Sequence, residues 1–230
     1  MRRKHLLVID RGVPTFDQDS GSLRMYSILA LLAVLNYHVI FFPADQNPRK
    51  SYTDALKKLG IQVLFQDLPD YLKSKGNLFS YVLLSRPDET FKYLPYVRNY
   101  AVNSKIIYDT VDIHWVRCQR GAQLYGEQNF QEQANYFRTI EKINATCSDL
   151  TLTVTEEDKN FLLEEIFPII QEKIPGIQFH VVGSHPPPSI TALKSSDINV
   201  TGFVKDVRPH FEELLARHHK TKTGGSFRFS

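Results

Sequence analysis

The feature that most constrains this chain is a rhythm of short apolar runs that do not alternate with polar residues, set between stretches with helical spacing. Runs such as Leu6-Leu7-Val8-Ile9 and Val39-Ile40-Phe41-Phe42 have no polar face. As strands they must be covered on both sides, which is the situation of a parallel sheet wrapped by helices. Strands are expected at His5–Asp10, 38–42, 61–65, 81–84, 105–108 and 151–155. Helices are expected near 21–36, 52–59, 69–75, 88–102 and 130–148. In the last of these, Phe130, Ala134, Phe137, Ile140 and Cys147 recur at helical spacing, so one face should pack on the sheet. Six such strands make a self-sufficient, doubly wound, Rossmann-like α/β domain over residues 1–155.

After Thr155 the rhythm breaks. Residues 156–165 and 167–173 both read as helix with no strand between them, and Pro168 stands where helices like to begin. A strand at 178–182, a Pro-rich turn, a short helix near 189–194, a weak strand at 199–202 and a helix at 206–215 follow. These units are too few for an independent domain with both sheet faces covered. Residues 156–215 therefore read as a linker helix and a partial second α/β domain, and 216–230 as a disordered basic tail.

Charge and length exclude several classes. The formal charge is +3, but Arg217, Lys220, Lys222 and Arg228 lie in the last fourteen residues, which hold no acid, and without these four the chain stands at −1. A near-neutral body offers no nucleic-acid footprint. The longest apolar run, Ile28 to Leu35, falls far short of the roughly 20 residues of a membrane helix. The basic start Met1-Arg2-Arg3-Lys4-His5 precedes an apolar stretch that stops at Asp10, too short for a signal peptide. A cytoplasmic location without a transmembrane segment is expected, with Cys118 and Cys147 reduced. Oligomeric state is not legible.

Ligands of open α/β sheets sit beyond the carboxyl ends of the strands. Beyond the first strand, Ser20-Gly21-Ser22 opens a helix and can offer bare N–H groups to a phosphate, or serve only as an N-cap in a flexible loop. The G-x-G-x-x-G fingerprint is absent, as is a ribose-binding acid after the second strand, which argues against an unrelated dinucleotide-binding domain. Asp17-Gln18-Asp19 could hold a divalent metal or form a solvated acidic loop, and the solvated loop is the simpler reading. Beyond the fifth strand, Asp109, Asp112, His114, Trp115, Arg117 and Arg120 crowd together. Aspartate and histidine suit the orientation of a sugar hydroxyl, and arginine suits a carboxylate or phosphate. The alternative has Asp112 capping a turn and the arginines on a solvated helix face.

Three blocks carry a resemblance. Asp10 through Pro43 ("DRGVPTFDQDSGSLRMYSILALLAVLNYHVIFFP") and Ile107 through Arg120 ("IYDTVDIHWVRCQR") resemble the N-terminal domain of bacterial family 4 glycosyltransferases, of the GT-B fold. Phe167 to Val207 ("FPIIQEKIPGIQFHVVGSHPPPSITALKSSDINVTGFVKDV") resembles the middle of that family's C-terminal domain. The resemblance implies transfer of a sugar from a nucleotide-diphosphate donor to a glycan or other hydroxyl acceptor, with retention and without a cofactor or catalytic metal. It implies that Asp112 and His114 line the cleft near the transferred sugar as catalytic residues. Ser20, Gly21 and Ser22 would face the donor phosphate, with Arg117 and Arg120 nearby, and Gly202, Phe203 and Val204 would lie close to the base. The chain departs from the family where Glu164-Glu165 runs directly into Ile166-Phe167-Pro168: a strand and its phosphate-facing basic residue have no counterpart. Past Asp206, adjacent Glu212 and Glu213 cannot replace two glutamates spaced two helical turns apart. Weak or lost transfer is therefore expected of this chain alone, the alternative being a non-catalytic binding or assembly module.

Overall fold

The computed structural model describes residues 3–125, 128–153, 167–173, 179–182 and 194–202. The chain divides into two compact units, Met1–Ile166 and Phe167–Ser230. The expected helices over 156–165 and 206–215, most of that over 189–194, the Pro-rich turn and the tail lie outside the described residues.

In the first unit, β1 (His5–Asp10), β2 (His38–Pro43), β3 (Gln62–Val63), β4 (Phe79–Ser85), β5 (Lys105–Asp109) and β6 (Leu150–Leu152) form one sheet in the order β3-β2-β1-β4-β5-β6. Every pairing is parallel. Leu7 stands beside Ile40 on one side and Val82 on the other, so residues of like parity share a face. Leu7, Ile9, Ile40, Phe42, Val82 and Leu84 join one buried cluster. Val8, Phe41 and Leu83 on the opposite face are buried as well, the signature of a sheet covered on both sides. The edge strands β3 and β6 are short, which limits exposed pairing groups.

The helices are α1 (Ser20–Val34), α2 (Lys50–Lys58), α3 (Leu68–Lys75), α4 (Pro87–Tyr100), α5 (His114–Tyr125) and α6 (Gln128–Thr146). A single 3₁₀ turn, Gly76–Leu78, follows α3. Helix α1 buries Ser22, Met25, Leu29 and Leu32, a stripe at helical spacing. It stops before Asn36, whose φ of 63° takes the left-handed conformation that asparagine tolerates at helix ends. Helices α3 and α4 give Leu68, Leu72, Leu94 and Val97 to the main cluster. Helix α6 buries Ala134 and Ile140 as its spacing predicts, but its principal packing is on α5 and α4. Among the described residues no helix is long and apolar enough to cross a membrane.

In the second unit, α7 (Phe167–Lys173) precedes a parallel pair, β7 (Phe179–Val182) and β8 (Ile198–Gly202). The turn into β8 is tied by Ser195, whose N–H donates to the Ile198 carbonyl at 3.0 Å while its Oγ accepts from the Ile198 N–H at 3.1 Å.

Candidate functional site

The sheet order reverses direction between β1 and β4, and a crevice opens at such a point beyond the carboxyl ends of the strands. Here β1 ends in Asp10, β4 in Ser85 and β5 in Asp109, and all three are buried. Each acid finds a cation from elsewhere in the chain. The Arg86 Nε lies 2.8 Å from Asp10 Oδ1, and an Arg24 terminal nitrogen lies 2.6 Å from Asp109 Oδ2. The Arg11 N–H also donates to Asp10, and the Ser85 hydroxyl donates to Asp109. Burial raises the Asp10 carboxyl to about 6, against the pull of Arg86 and the Arg11 N–H, with the Asp109 charge adding to the rise.

Two loop residues at this edge occupy the left-handed region: Arg86 at φ 73° and Val111 at φ 65°. For β-branched Val111 this is a true outlier, held in place only by its surroundings. Both converge on the start of α1. A Cβ placed on Gly21 would stand 3.3 Å from the Arg86 guanidinium and 3.5 Å from the Val111 side chain. Position 21 is thus where the β1–α1 and β5–α5 loops meet Arg86, and glycine leaves the approach open.

Asp19 is the N-cap of α1, its Oδ1 accepting the Ser22 N–H at 2.8 Å. The Ser22 hydroxyl and N–H, with the charge of Arg86, hold the Asp19 carboxyl below its ordinary range. Of the expected phosphate-facing groups, Ser22 is therefore buried with its N–H committed to the cap, whereas Ser20 is exposed and Gly21 half-buried. The N–H groups of Ser20 and Gly21 lie in the first turn, where a helix supplies no acceptor. Asp17 takes the Tyr52 hydroxyl at 2.6 Å, and the Gln18 amide donates to the same hydroxyl at 3.0 Å. Among the described residues no three His, Cys, Asp or Glu side chains are gathered as a metal would need.

Beyond β5 the chain passes through Thr110-Val111-Asp112-Ile113 into α5. The His114 Nδ1 lies 3.0 Å from Asp112 Oδ1 and 3.2 Å from the Asp112 carbonyl oxygen. An Arg117 terminal nitrogen reaches Asp112 Oδ2 at 2.5 Å. Burial would push Asp112 up, but the hydrogen bond and charge of His114, with Arg117 and Arg86, outweigh it and hold the carboxyl below its ordinary range. His114 is only 4% exposed, whereas the Asp112 side chain is 36% exposed, so the carboxylate is the member a ligand meets first. Arg120 is exposed on the same helix. Gly202 closes β8 in the second unit, and Phe203 and Val204 lie outside the described residues.

Two residues escaped the sequence reading. Arg86 sits in Ser85-Arg86-Pro87, directly after the fourth strand, and so shares the carboxyl edge with Asp10 and Asp109. Glu141 is 1% exposed and accepts the N–H groups of His114 at 2.8 Å and Trp115 at 3.2 Å. Its signal was an acid four residues after Phe137, on the packed stripe of α6.

These features define a Rossmann-like α/β protein with its polar groups gathered at the carboxyl edge of the sheet. A sucrose-phosphate synthase from Thermosynechococcus elongatus is similar in structure, with a TM-score of 0.50 and 10% identity over 88% of this chain and 71% of that one. At that identity the likeness concerns the fold alone. A short-chain dehydrogenase/reductase (wide type) from Veillonella parvula, in complex with NADP, gives a TM-score of 0.38 and 8% identity over 61% of this chain and 64% of that one, too slight to bear on this chain. No family model and no curated protein matches the sequence.

Proposed function

We propose that this chain is a family 4 type glycosyltransferase protein, built to pass a sugar from a nucleotide diphosphate to an acceptor hydroxyl with retention, its own activity weak or lost. One observation carries the reading: Asp112, held by His114 and Arg117, stands at the carboxyl end of β5, while the adjoining Val111 and Arg86 meet the glycine at the start of α1. A carboxylate kept anionic in this way can accept a hydrogen bond from a sugar hydroxyl or oppose positive charge building on the sugar ring. The first-turn N–H groups of Ser20 and Gly21 suit a phosphate, and Arg117 and Arg120 lie on the next helix. In the second unit, the Gly202-Phe203-Val204 turn is the part proposed to lie near the base.

Weak transfer follows from the direct junction of Glu164-Glu165 with Ile166-Phe167-Pro168. The strand whose basic residue would stabilise the leaving diphosphate has no counterpart there, and such stabilisation is often the largest catalytic contribution. The same observation favours a second reading, a non-catalytic binding or assembly module that keeps the acceptor side.

Calorimetry of the full chain with uridine and guanosine diphosphate sugars tests the proposal. Donor binding is expected only above ~1 mM, and His114→Ala should abolish any turnover that wild type shows. Tighter donor binding would overturn the weakened donor site. Turnover undiminished in His114→Ala would remove the pair from the chemistry. Acceptor binding without any donor binding would favour the module.

A further inference from the structure

We propose that Glu141 is a positioning residue of this site, fixing the first turn of α5 so that the His114 ring carries its proton on Nδ1 toward Asp112 and keeps Nε2 as its acceptor. The inference rests on the reading of Asp112 and His114 as the working pair.

The tautomer follows from the neighbours. The Asp112 carboxylate at 3.0 Å and the Asp112 carbonyl at 3.2 Å face Nδ1, and neither of them can donate. A neutral imidazole there must hold its proton on Nδ1, which leaves Nε2 bare. What keeps the ring in that place comes from α6. Glu141 accepts the N–H groups of both His114 and Trp115, two of the donors that the start of α5 cannot satisfy within itself. One turn earlier on the same face, Phe137 packs against the imidazole with ring centroids 5.0 Å apart, and the Arg138 guanidinium lies 5.3 Å from the centre of the Trp115 ring. Glu141 is thus an N-cap supplied from 27 residues further along the chain, acting on the ligand-facing carboxylate through the histidine.

Nitrogen NMR of the full chain labelled at histidine tests this, with the His114 signal among the eight histidines assigned by its loss in His114→Ala. At a pH where the ring is neutral, wild type should show protonated Nδ1 and bare Nε2. Glu141→Ala should redistribute the proton between the two nitrogens, and Glu141→Gln, whose one amide oxygen can still accept the His114 N–H, should restore most of the wild-type pattern. If Glu141→Ala does not fold, Glu141→Asp, one methylene short of both N–H groups, is read instead with the same expectation. A folded Glu141→Ala or Glu141→Asp with the wild-type tautomer overturns the positioning role, whatever a transfer assay gives. If the tautomer moves as expected while His114→Ala leaves sugar transfer unchanged, Glu141 keeps its role and the proposed function of the pair fails.

Discussion

Asp109 shows most directly what the carboxyl edge of this sheet demands of single residues. Its side chain is wholly buried, its Oδ2 takes both Arg24 and Ser85, and its Oδ1 has no hydrogen-bond partner among the described residues. A buried carboxylate that loses its cation keeps its full desolvation cost. Arg24→Ala is therefore expected to destabilise the protein by ~3 to 5 kcal/mol. Adding Asp109→Asn removes the stranded charge while retaining an acceptor for Ser85, so the double variant should recover at least about half of that loss. Chemical denaturation of the four proteins of the cycle measures it. Additive losses would mean that Arg24 acts through packing on α1 and not through the charge. None of this pairing is legible in the sequence, because Arg24 and Asp109 are 85 residues apart. Asp109, by contrast, was visible as a polar residue closing an apolar run.

Between elements the governing contact is that of α6 on α5. Burial raises the Glu141 carboxyl to about 7, with the two N–H groups and the His114 charge pulling down and the Asp112 charge pushing up. A folded acid weaker than its unfolded counterpart contributes stability that is complete below the unfolded value near 4.5 and is lost as pH rises to about 7. The loss amounts to about 3 kcal/mol. Glu141→Gln cannot ionise, so its melting temperature should gain on wild type as pH is raised through that window, then run parallel above it. Asp10 titrates in the same direction in both proteins and cancels from the difference. A constant gap from pH 4.5 to 7.5 would show that folding does not raise the Glu141 carboxyl. Strand β1 is read to the residue because Leu6-Leu7-Val8-Ile9 ends at a charge. Strand β3 is only Gln62–Val63, shorter than the expected 61–65, although the Leu64 N–H still donates to the Phe41 carbonyl of β2 at 2.8 Å. Gly121 and a polar run hide helix α5 from the sequence. Its cap is Glu141, and an added Cβ at Gly121 would lie 3.0 Å from the Phe130 ring of α6, so the reasons for the helix stand in the next one.

At the scale of the whole chain, the two units differ in what they can hold together unaided. The first sheet has six strands with both faces buried and its longest members, β1, β2 and β4, toward the centre. Among the described residues the second sheet has two strands, β7 and β8, and a parallel pair standing by itself is marginal in water. Local opening free energies should follow this division. In the intact chain, amides of β1, β4 and β5 are expected to exchange only through global unfolding, and those of β7 and β8 at least ~100-fold faster. A chain ending at Ile166 should keep the slow amides slow, since every strand pairing they depend on lies within the first unit. Hydrogen exchange read by mass spectrometry on both chains decides the matter. Equal protection of β7 and β1 would mean that the second unit completes a core of its own, and the proposed weakness of donor binding would lose its physical basis. Loss of protection in β4 and β5 on shortening would mean that the platform carrying Asp112 depends on residues beyond Ile166.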